Sequence, residues 1–222
     1  MVASRLLELC IEHGMTPNLS KNKTEVLLSF RGHGSRKQKK AFFGPHASKS
    51  LPVVTEYGTM HLPLTTTYVH LGGLLHHACD QRDEIKRRLG IAFSTLNHHR
   101  KLIFRNWALP LQKRCQLLES LVLSKLLYGA ETWVVTEEAT VAHFHAAVLR
   151  LYRRLLPVPS DQHMADDEIL TLVHMPSPIE LIRRARLRYV ATLHHCGARQ
   201  EWGLLAADTA WQALMEADLE RM

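Results

Sequence analysis

The chain has 222 residues and a formal net charge of +7, enough for one large domain or two small ones. Its four cysteines, Cys10, Cys79, Cys115 and Cys196, have no paired spacing, which argues against a disulfide scaffold and for free thiols in a reducing, intracellular compartment. No run of about 18 apolar residues exists to make a spanning helix, and the opening MVASRLLELCIEHG lacks the basic segment and long apolar run of a secretory signal.

Ser4–His13 reads as a short helix with Leu6, Leu7, Cys10 and Ile11 inward, stopped by Gly14. It starts with almost no lead-in, as a chain cut from something longer would. Thr24–Phe30 is strand-like. A basic loop follows: six Lys or Arg and no acid between Arg31 and Lys49, interleaved with Gly32, Gly34, Gly44 and Pro45. Such a loop is expected to be mobile and to seek phosphate; the plainer reading is a solvated surface. Pro52–Tyr57 and Met60–Leu64 read as a hairpin around Gly58. Thr66–Leu71 is a third strand that turns at Gly72 and Gly73, where the β portion is expected to end.

Helices are expected from there on. Asp83–Leu96 puts Ile85, Leu89, Ala92, Phe93 and Leu96 on one face, and Asn97–Pro110 is a basic link with Arg100, Lys101, Arg105 and Trp107. Gln116–Trp133 is the central helix, its apolar face made by Leu117, Leu118, Leu121, Val122, Leu126 and Tyr128 and its end set by Gly129. Lys125 breaks the pattern, falling near the middle of that apolar arc. Thr136–Leu156 follows, with Thr136 as N-cap, Val141, Phe144, Val148, Leu151, Tyr152 and Leu155 as its apolar stripe, Arg150, Arg153 and Arg154 on other faces, and Pro157 and Pro159 ending it. Asp166–Val173 is a short helix. Ser177–His195 opens with a capping box, and Trp202, Leu205, Trp211 and Leu214 point to further helical packing near the end. The fold class is α+β, mostly α: a small antiparallel β portion and then a helical bundle. The expected parts are 1–75, 76–160 and 161–222.

Charge is uneven along the chain. Residues 1–110 hold 16 Lys+Arg against 7 Asp+Glu, and residues 111–222 hold 12 against 14. A basic half suits a polyanion, nucleic acid above all. Asp166 and Asp167 form the one adjacent aspartate pair, but they begin a helix, where the dipole favours acids, so they read as helix-start residues rather than metal ligands. His76, His77 and Cys79, and His194, His195 and Cys196, crowd too closely for a four-ligand zinc site, so no metal is expected. Arg186 shares a face with Ile182, Tyr189 and Leu193. It and Lys125 read either as ion-paired or snorkelling cations or as phosphate contacts.

Several stretches, in this order, resemble one family. GMTPNLSKNKTEVLL (14–28), TYVHLGGLL (67–75) and SKLLYGAETW (124–133) look like the end of the palm and the thumb of non-LTR, LINE-type retrotransposon reverse transcriptases, and MPSPIELIRRARLRYV (175–190) resembles the segment found after the thumb. The resemblance implies a palm remnant and a thumb that lies along an RNA–DNA hybrid and touches phosphates. It makes Lys23, in the K-T-E of Lys23, Thr24 and Glu25, a candidate proton donor to leaving pyrophosphate. It also puts Tyr68, Leu71, Gly72 and Gly73 in a primer grip, where glycine lets a nucleic-acid backbone approach closely. With Lys125 and the basic run Arg36, Lys37, Lys39 and Lys40, these are the candidate nucleic-acid-binding residues. The family's metal-binding aspartates would precede residue 1. The expectation is therefore a fragment of an RNA-directed DNA polymerase that binds primer–template RNA and DNA but does not polymerise alone. Mg²⁺ would be needed only by an intact relative, and the missing fingers and palm would be its structural partners. Such a protein has no call for a membrane and would be nuclear if part of an active element. The alternatives are a non-catalytic basic helical nucleic-acid-binding protein, or a degenerate element product without function.

Overall fold

A computed structural model describes residues 2–20, 23–45, 47, 49–135, 137–158, 164–197 and 199–221. It divides into two compact units, Met1–Asp83 and Glu84–Met222. The protein is mostly helical, with a small strand content that includes antiparallel pairing, an α+β fold weighted to α. At the Asp83 boundary both units are basic, with 10 Lys+Arg against 6 Asp+Glu in the first and 18 against 15 in the second.

The first unit opens with α1 (Val2–Glu12). Leu7 is 4% exposed and packs with Val53 and Leu62, but Leu6, expected inward, is 61% exposed. The small sheet offers α1 only a narrow apolar strip, and Leu7 occupies it. Of the strand expected over Thr24–Phe30, only β1 (Val26–Leu27) pairs, and it runs parallel to β3. The hairpin around Gly58 forms as expected from β2 (Ser50–Thr55) and β3 (Gly58–Thr65).

The β portion does not stop at the glycines. Strand β4 (Thr67–His70) turns through Leu71 and Gly72 into β5 (Gly73–His76), a separate two-stranded sheet with His70 opposite Gly73. Leu71 and Gly72 both have positive φ, 47° and 82°, as a two-residue hairpin turn of the favoured hand requires. Leu71 is thus a turn residue rather than the end of a strand.

The basic segment is also not a loop. Ser35–Phe43 (SRKQKKAFF) is helix α2, entered from Gly34 at φ 82° and ended at Gly44. Lys, Arg, Gln and Ala are good helix formers. Phe42 and Phe43 at its end pack on Phe30, with ring centroids 5.6 and 6.3 Å away. Each such pair is worth about 0.5–1.5 kcal/mol beyond area burial, enough to hold a two-and-a-half-turn helix that would not persist alone.

The second unit is built on one core, from Ile85 to Leu181. Helix α3 (Arg82–His98) contributes Ile85, Leu89, Ala92 and Leu96, the face its periodicity gives. A single π turn, Arg100–Phe104, interrupts the expected link and buries Phe104. The central helix starts earlier than its apolar pattern suggests, as α4 (Leu111–Leu118), passes through a π turn at Glu119–Leu123 and finishes as α5 (Ser124–Leu126). In that turn the Ser124 N–H bonds to the Glu119 carbonyl, five residues back. One extra residue per turn rotates the downstream residues by roughly 100° relative to an unbroken α-helix. Leu123 and Leu126 therefore face the core, while Lys125 swings out and is exposed. Tyr128, expected inward, is 52% exposed, and the Arg88 guanidinium lies 4.4 Å from its ring centroid. Gly129 does enter the left-handed conformation, at φ 79°, and Trp133 beyond it is buried edge-on against Phe144.

Helix α6 (Glu138–Arg153) carries the expected stripe, with Phe144, Val148, Leu151 and Tyr152 buried. The N-cap expected at Thr136 and the stop at Pro159 lie outside the described residues. Asp166 and Asp167 begin α7 (Asp166–Val173), as expected from the sequence. Helix α8 (Pro178–Cys196) is capped by Ser177, whose hydroxyl accepts the Glu180 N–H at 3.3 Å. Then come α9 (Arg199–Ala206) and α10 (Thr209–Leu219). Trp211 anchors α10: it is buried, and its Nε1 donates to the Glu131 carbonyl at 3.0 Å.

Candidate nucleic-acid interface

In the first unit, α2 displays Arg36, Lys37, Lys39 and Lys40, all exposed. At 100° per residue these four positions cover a contiguous arc of about 160°. No acidic residue lies on the helix, and none of the four makes an ion pair with a described carboxylate. The anchor lies at the helix end: Phe43 packs on Phe30 and sits 5.3 Å, centroid to centroid, from His77 just past β5. Arg31, ahead of α2, donates to the Cys79 Sγ at 3.6 Å. These contacts tie the basic helix to the β4–β5 hairpin within one unit.

His77 is buried. Its Nδ1 lies 3.3 Å from the Thr66 carbonyl, and its Nε2 has no partner among the described residues. Burial, then the nearby His76 and Lys39, push its pKa below the ordinary 6.5. It is a neutral packing histidine. His194, His195 and Cys196 are exposed at the end of α8. Among the described residues no group of three His, Cys, Asp or Glu is placed to hold a metal ion.

The candidates named from sequence fall into three places. Tyr68 on β4 donates from its hydroxyl to the Lys23 carbonyl at 3.4 Å, so the hairpin and the K-T-E segment meet. Lys23 itself is exposed, as is Leu71 at the hairpin tip. Gly72 needs its missing Cβ because of its φ; Gly73 does not, since a Cβ there would make an ordinary 3.5 Å contact with the His70 carbonyl oxygen. Lys125 belongs to the second unit, where its Nζ donates to Thr95 Oγ1 at 3.3 Å and the Arg88 guanidinium donates to its carbonyl oxygen at 3.4 Å.

Arg186 resolves as an ion pair. Its Nε donates to Asp218 Oδ2 at 2.7 Å, and its guanidinium also reaches the Trp133 carbonyl. Arg88 pairs with Glu84 at 2.6 Å in the same buried fashion. Arg114 is buried with no carboxylate partner among the described residues and donates instead to the carbonyls of Phe104, Leu109 and Leu155, with burial lowering its pKa.

One grouping is not evident from the sequence. Arg100, Arg105, Arg150, Arg153 and Arg154 line a single cleft of about 430 Å³ in the second unit. Half of it is legible in the chain, because residues 150, 153 and 154 share a helix face at i, i+3 and i+4 spacing. The other half arrives from the turn at Arg100–Phe104, about 45 residues earlier. No protein-family model, curated protein or solved structure matches this chain.

Proposed function

We infer that the chain binds nucleic-acid backbone without reading base sequence, and that α2 is the principal contact. The observation that carries this is the four exposed cations on one arc of a helix that has no acid and is pinned at one end by three phenylalanines. Cations held on a rigid element, without carboxylates to satisfy them, neutralise phosphates and release counterions. The exposed Lys23 and the hairpin tip at Leu71–Gly72 lie in the same unit and extend the surface. Lys125, exposed on the second unit, is a further single contact.

The resemblance of residues 14–28, 67–75 and 124–133 to the palm end and thumb of non-LTR retrotransposon reverse transcriptases, and of 175–190 to the segment after the thumb, supports an RNA–DNA hybrid as the preferred duplex. On this reading the chain holds primer–template and contributes no metal-binding carboxylates to nucleotide addition. Mg²⁺-dependent primer extension by the pure 222-residue chain would overturn that part.

The binding itself is tested by fluorescence anisotropy with a labelled RNA–DNA hybrid over a series of salt concentrations. The wild-type chain is expected to lose affinity steeply as salt rises. Arg36→Gln/Lys37→Gln/Lys39→Gln/Lys40→Gln is expected to flatten the log–log slope by about 0.7–0.9 for each phosphate no longer neutralised. An unchanged slope and affinity in a folded variant would remove α2 from the interface.

A further inference from the structure

The five-arginine cleft lies outside the α2 surface, and its chemistry differs from that of α2. Elsewhere in the second unit five arginines have carboxylate partners, while the buried Arg114 is held by backbone carbonyls. Arg87 and Arg88 pair with Glu84, Arg183 and Arg186 with Asp218, and Arg184 with Glu180. Arg100, Arg105, Arg150, Arg153 and Arg154 make no ion pair with any described carboxylate, and among the described residues no carboxylate lines the cleft. Their hydrogen bonds go to neutral acceptors. Arg150 Nε donates to the Ala146 carbonyl at 3.2 Å, Arg153 to the Met164 carbonyl at 2.7 Å and Arg154 to Asn97 Oδ1 at 3.3 Å. Arg153 keeps a buried Nε–H with no acceptor among the described residues.

Two helix ends help to gather this charge. Arg150 and Arg153 occupy the last turn of α6, and Arg154 is its C-cap. Arg105 is the C-cap of the π turn that starts at Arg100. The negative ends of those two segments offset part of the repulsion among the guanidiniums. The offset is partial, since each terminus carries about half a unit charge against five. Several full positive charges remain in one concave space, with planar forks that match phosphate oxygens two at a time.

An extended nucleic-acid strand presents one negative charge per nucleotide, strung along a surface. A cleft that concentrates five guanidiniums fits an anion whose charges are equally concentrated. We propose that this cleft is an oligophosphate-binding site, taking the di- or triphosphate of a free nucleotide or the triphosphate at the 5′ end of an RNA. Arg100 and Arg105 supply side-chain donors that no described group uses, and Arg150, Arg153 and Arg154 bring the rest of the lining charge from the end of α6.

The experiment is isothermal titration of the full chain, without divalent metal, with sodium tripolyphosphate, orthophosphate and ATP. It is followed by competition between two short RNAs of one sequence, one 5′-triphosphorylated and one with a 5′-hydroxyl. Tripolyphosphate is expected to bind at least about tenfold more tightly than orthophosphate, because charge-assisted bidentate bonds multiply with the number of phosphates. Arg100→Gln/Arg105→Gln removes side-chain donors that make no hydrogen bond or ion pair among the described residues, and is expected to weaken tripolyphosphate about tenfold while leaving the thermal midpoint in place. The α2 quadruple variant is expected to keep tripolyphosphate binding whatever becomes of hybrid binding, so the two sites fail or stand separately. If ATP binds and the 5′-triphosphorylated RNA gains nothing over the 5′-hydroxyl RNA, the source is a free nucleotide; if the triphosphorylated RNA competes better, the source is an RNA end. Orthophosphate binding as tightly as tripolyphosphate, or Arg100→Gln/Arg105→Gln binding tripolyphosphate like the wild type, would overturn the assignment.

Discussion

Arg186 on α8 and Asp218 on α10 meet at 2.7 Å with both side chains only 7% exposed, and Arg183 reaches the other oxygen of the same carboxylate at 3.2 Å. A single aspartate thus pairs with two arginines, of which Arg183 also reaches Glu180, and fastens the last helix to the bundle. Removing the carboxylate leaves a buried guanidinium without an anion. Asp218→Asn is expected to destabilise the second unit by about 3–5 kcal/mol, the usual cost of breaking one partner of a buried pair. A urea titration followed by tryptophan fluorescence measures it, because all four tryptophans lie in this unit. A change under about 1 kcal/mol would mean that water reaches the pair and that α10 is only loosely held.

The exposure of Lys125 leads to the opposite expectation. Among the described residues its ammonium has one hydrogen bond, to Thr95, and the side chain is exposed. Lys125→Met is expected to shift stability by no more than about 0.5 kcal/mol. In the anisotropy assay it should lower the salt slope by the share of one phosphate, roughly 0.7–0.9. A slope identical to wild type would exclude Lys125 from the interface.

His77 sets a pH dependence for the first unit. Its folded pKa lies below the ordinary 6.5, chiefly because burial disfavours the charged ring. As pH falls the unfolded chain takes up this proton before the folded one does. The stabilisation is therefore complete above about 6.5 and is lost as pH drops from there through the folded pKa. Hydrogen exchange of the β4–β5 amides should quicken as the solution is acidified through that range, beyond the intrinsic change in exchange rate. His77→Gln, which keeps a donor for the Thr66 carbonyl, should remove much of that extra loss. The same acceleration in the variant would assign it to other histidines.

The cysteines report on the second unit directly. Cys79 and Cys196 are exposed, Cys10 is partly covered, and Cys115 is buried with its thiol directed at the Val173 carbonyl, 3.5 Å away. Burial raises the Cys115 pKa, so thiolate is scarce there while the site stays closed. Maleimide labelling read by mass spectrometry is expected to modify Cys79 and Cys196 first and Cys115 only on unfolding. Asp218→Asn should speed the Cys115 reaction and leave Cys79 unchanged. Rapid labelling of Cys115 in the native wild type would show that α4 does not bury its thiol in solution.

Much of the helical half was legible from residue order, because its signals are local. The periodicity of Ile85, Leu89, Ala92 and Leu96 gave α3, the stripe from Phe144 to Tyr152 gave α6, and Ser177 with Glu180 gave the start of α8. Gly58 and the alternation around it gave the β2–β3 hairpin for the same reason. The outcome at Arg31–Lys49 was different. Its composition is that of a solvated loop, and only the approach of Phe30 to Phe42 and Phe43 makes a helix worthwhile there. Lys125 was misplaced because a π turn leaves no mark in a hydrophobic pattern; the turn forms where packing of Val122, Leu123 and Leu126 gains more than one strained hydrogen-bond register costs.

By itself the sequence determined the quantities that need no partner: net charge, helix phase over unbroken runs, caps, and the acids at the start of α7. Tertiary structure decided which cations are spent and which are available. Arg186 and Arg88 are consumed by carboxylates that lie far off in the sequence or are only one of several possible partners, whereas Arg100 and Arg105 join Arg150, Arg153 and Arg154 across about 45 residues with no acid among the described residues that line the cleft they share. Electrostatic neutralisation depends on distances in space, and one-dimensional spacing specifies those only within a few turns of a single helix.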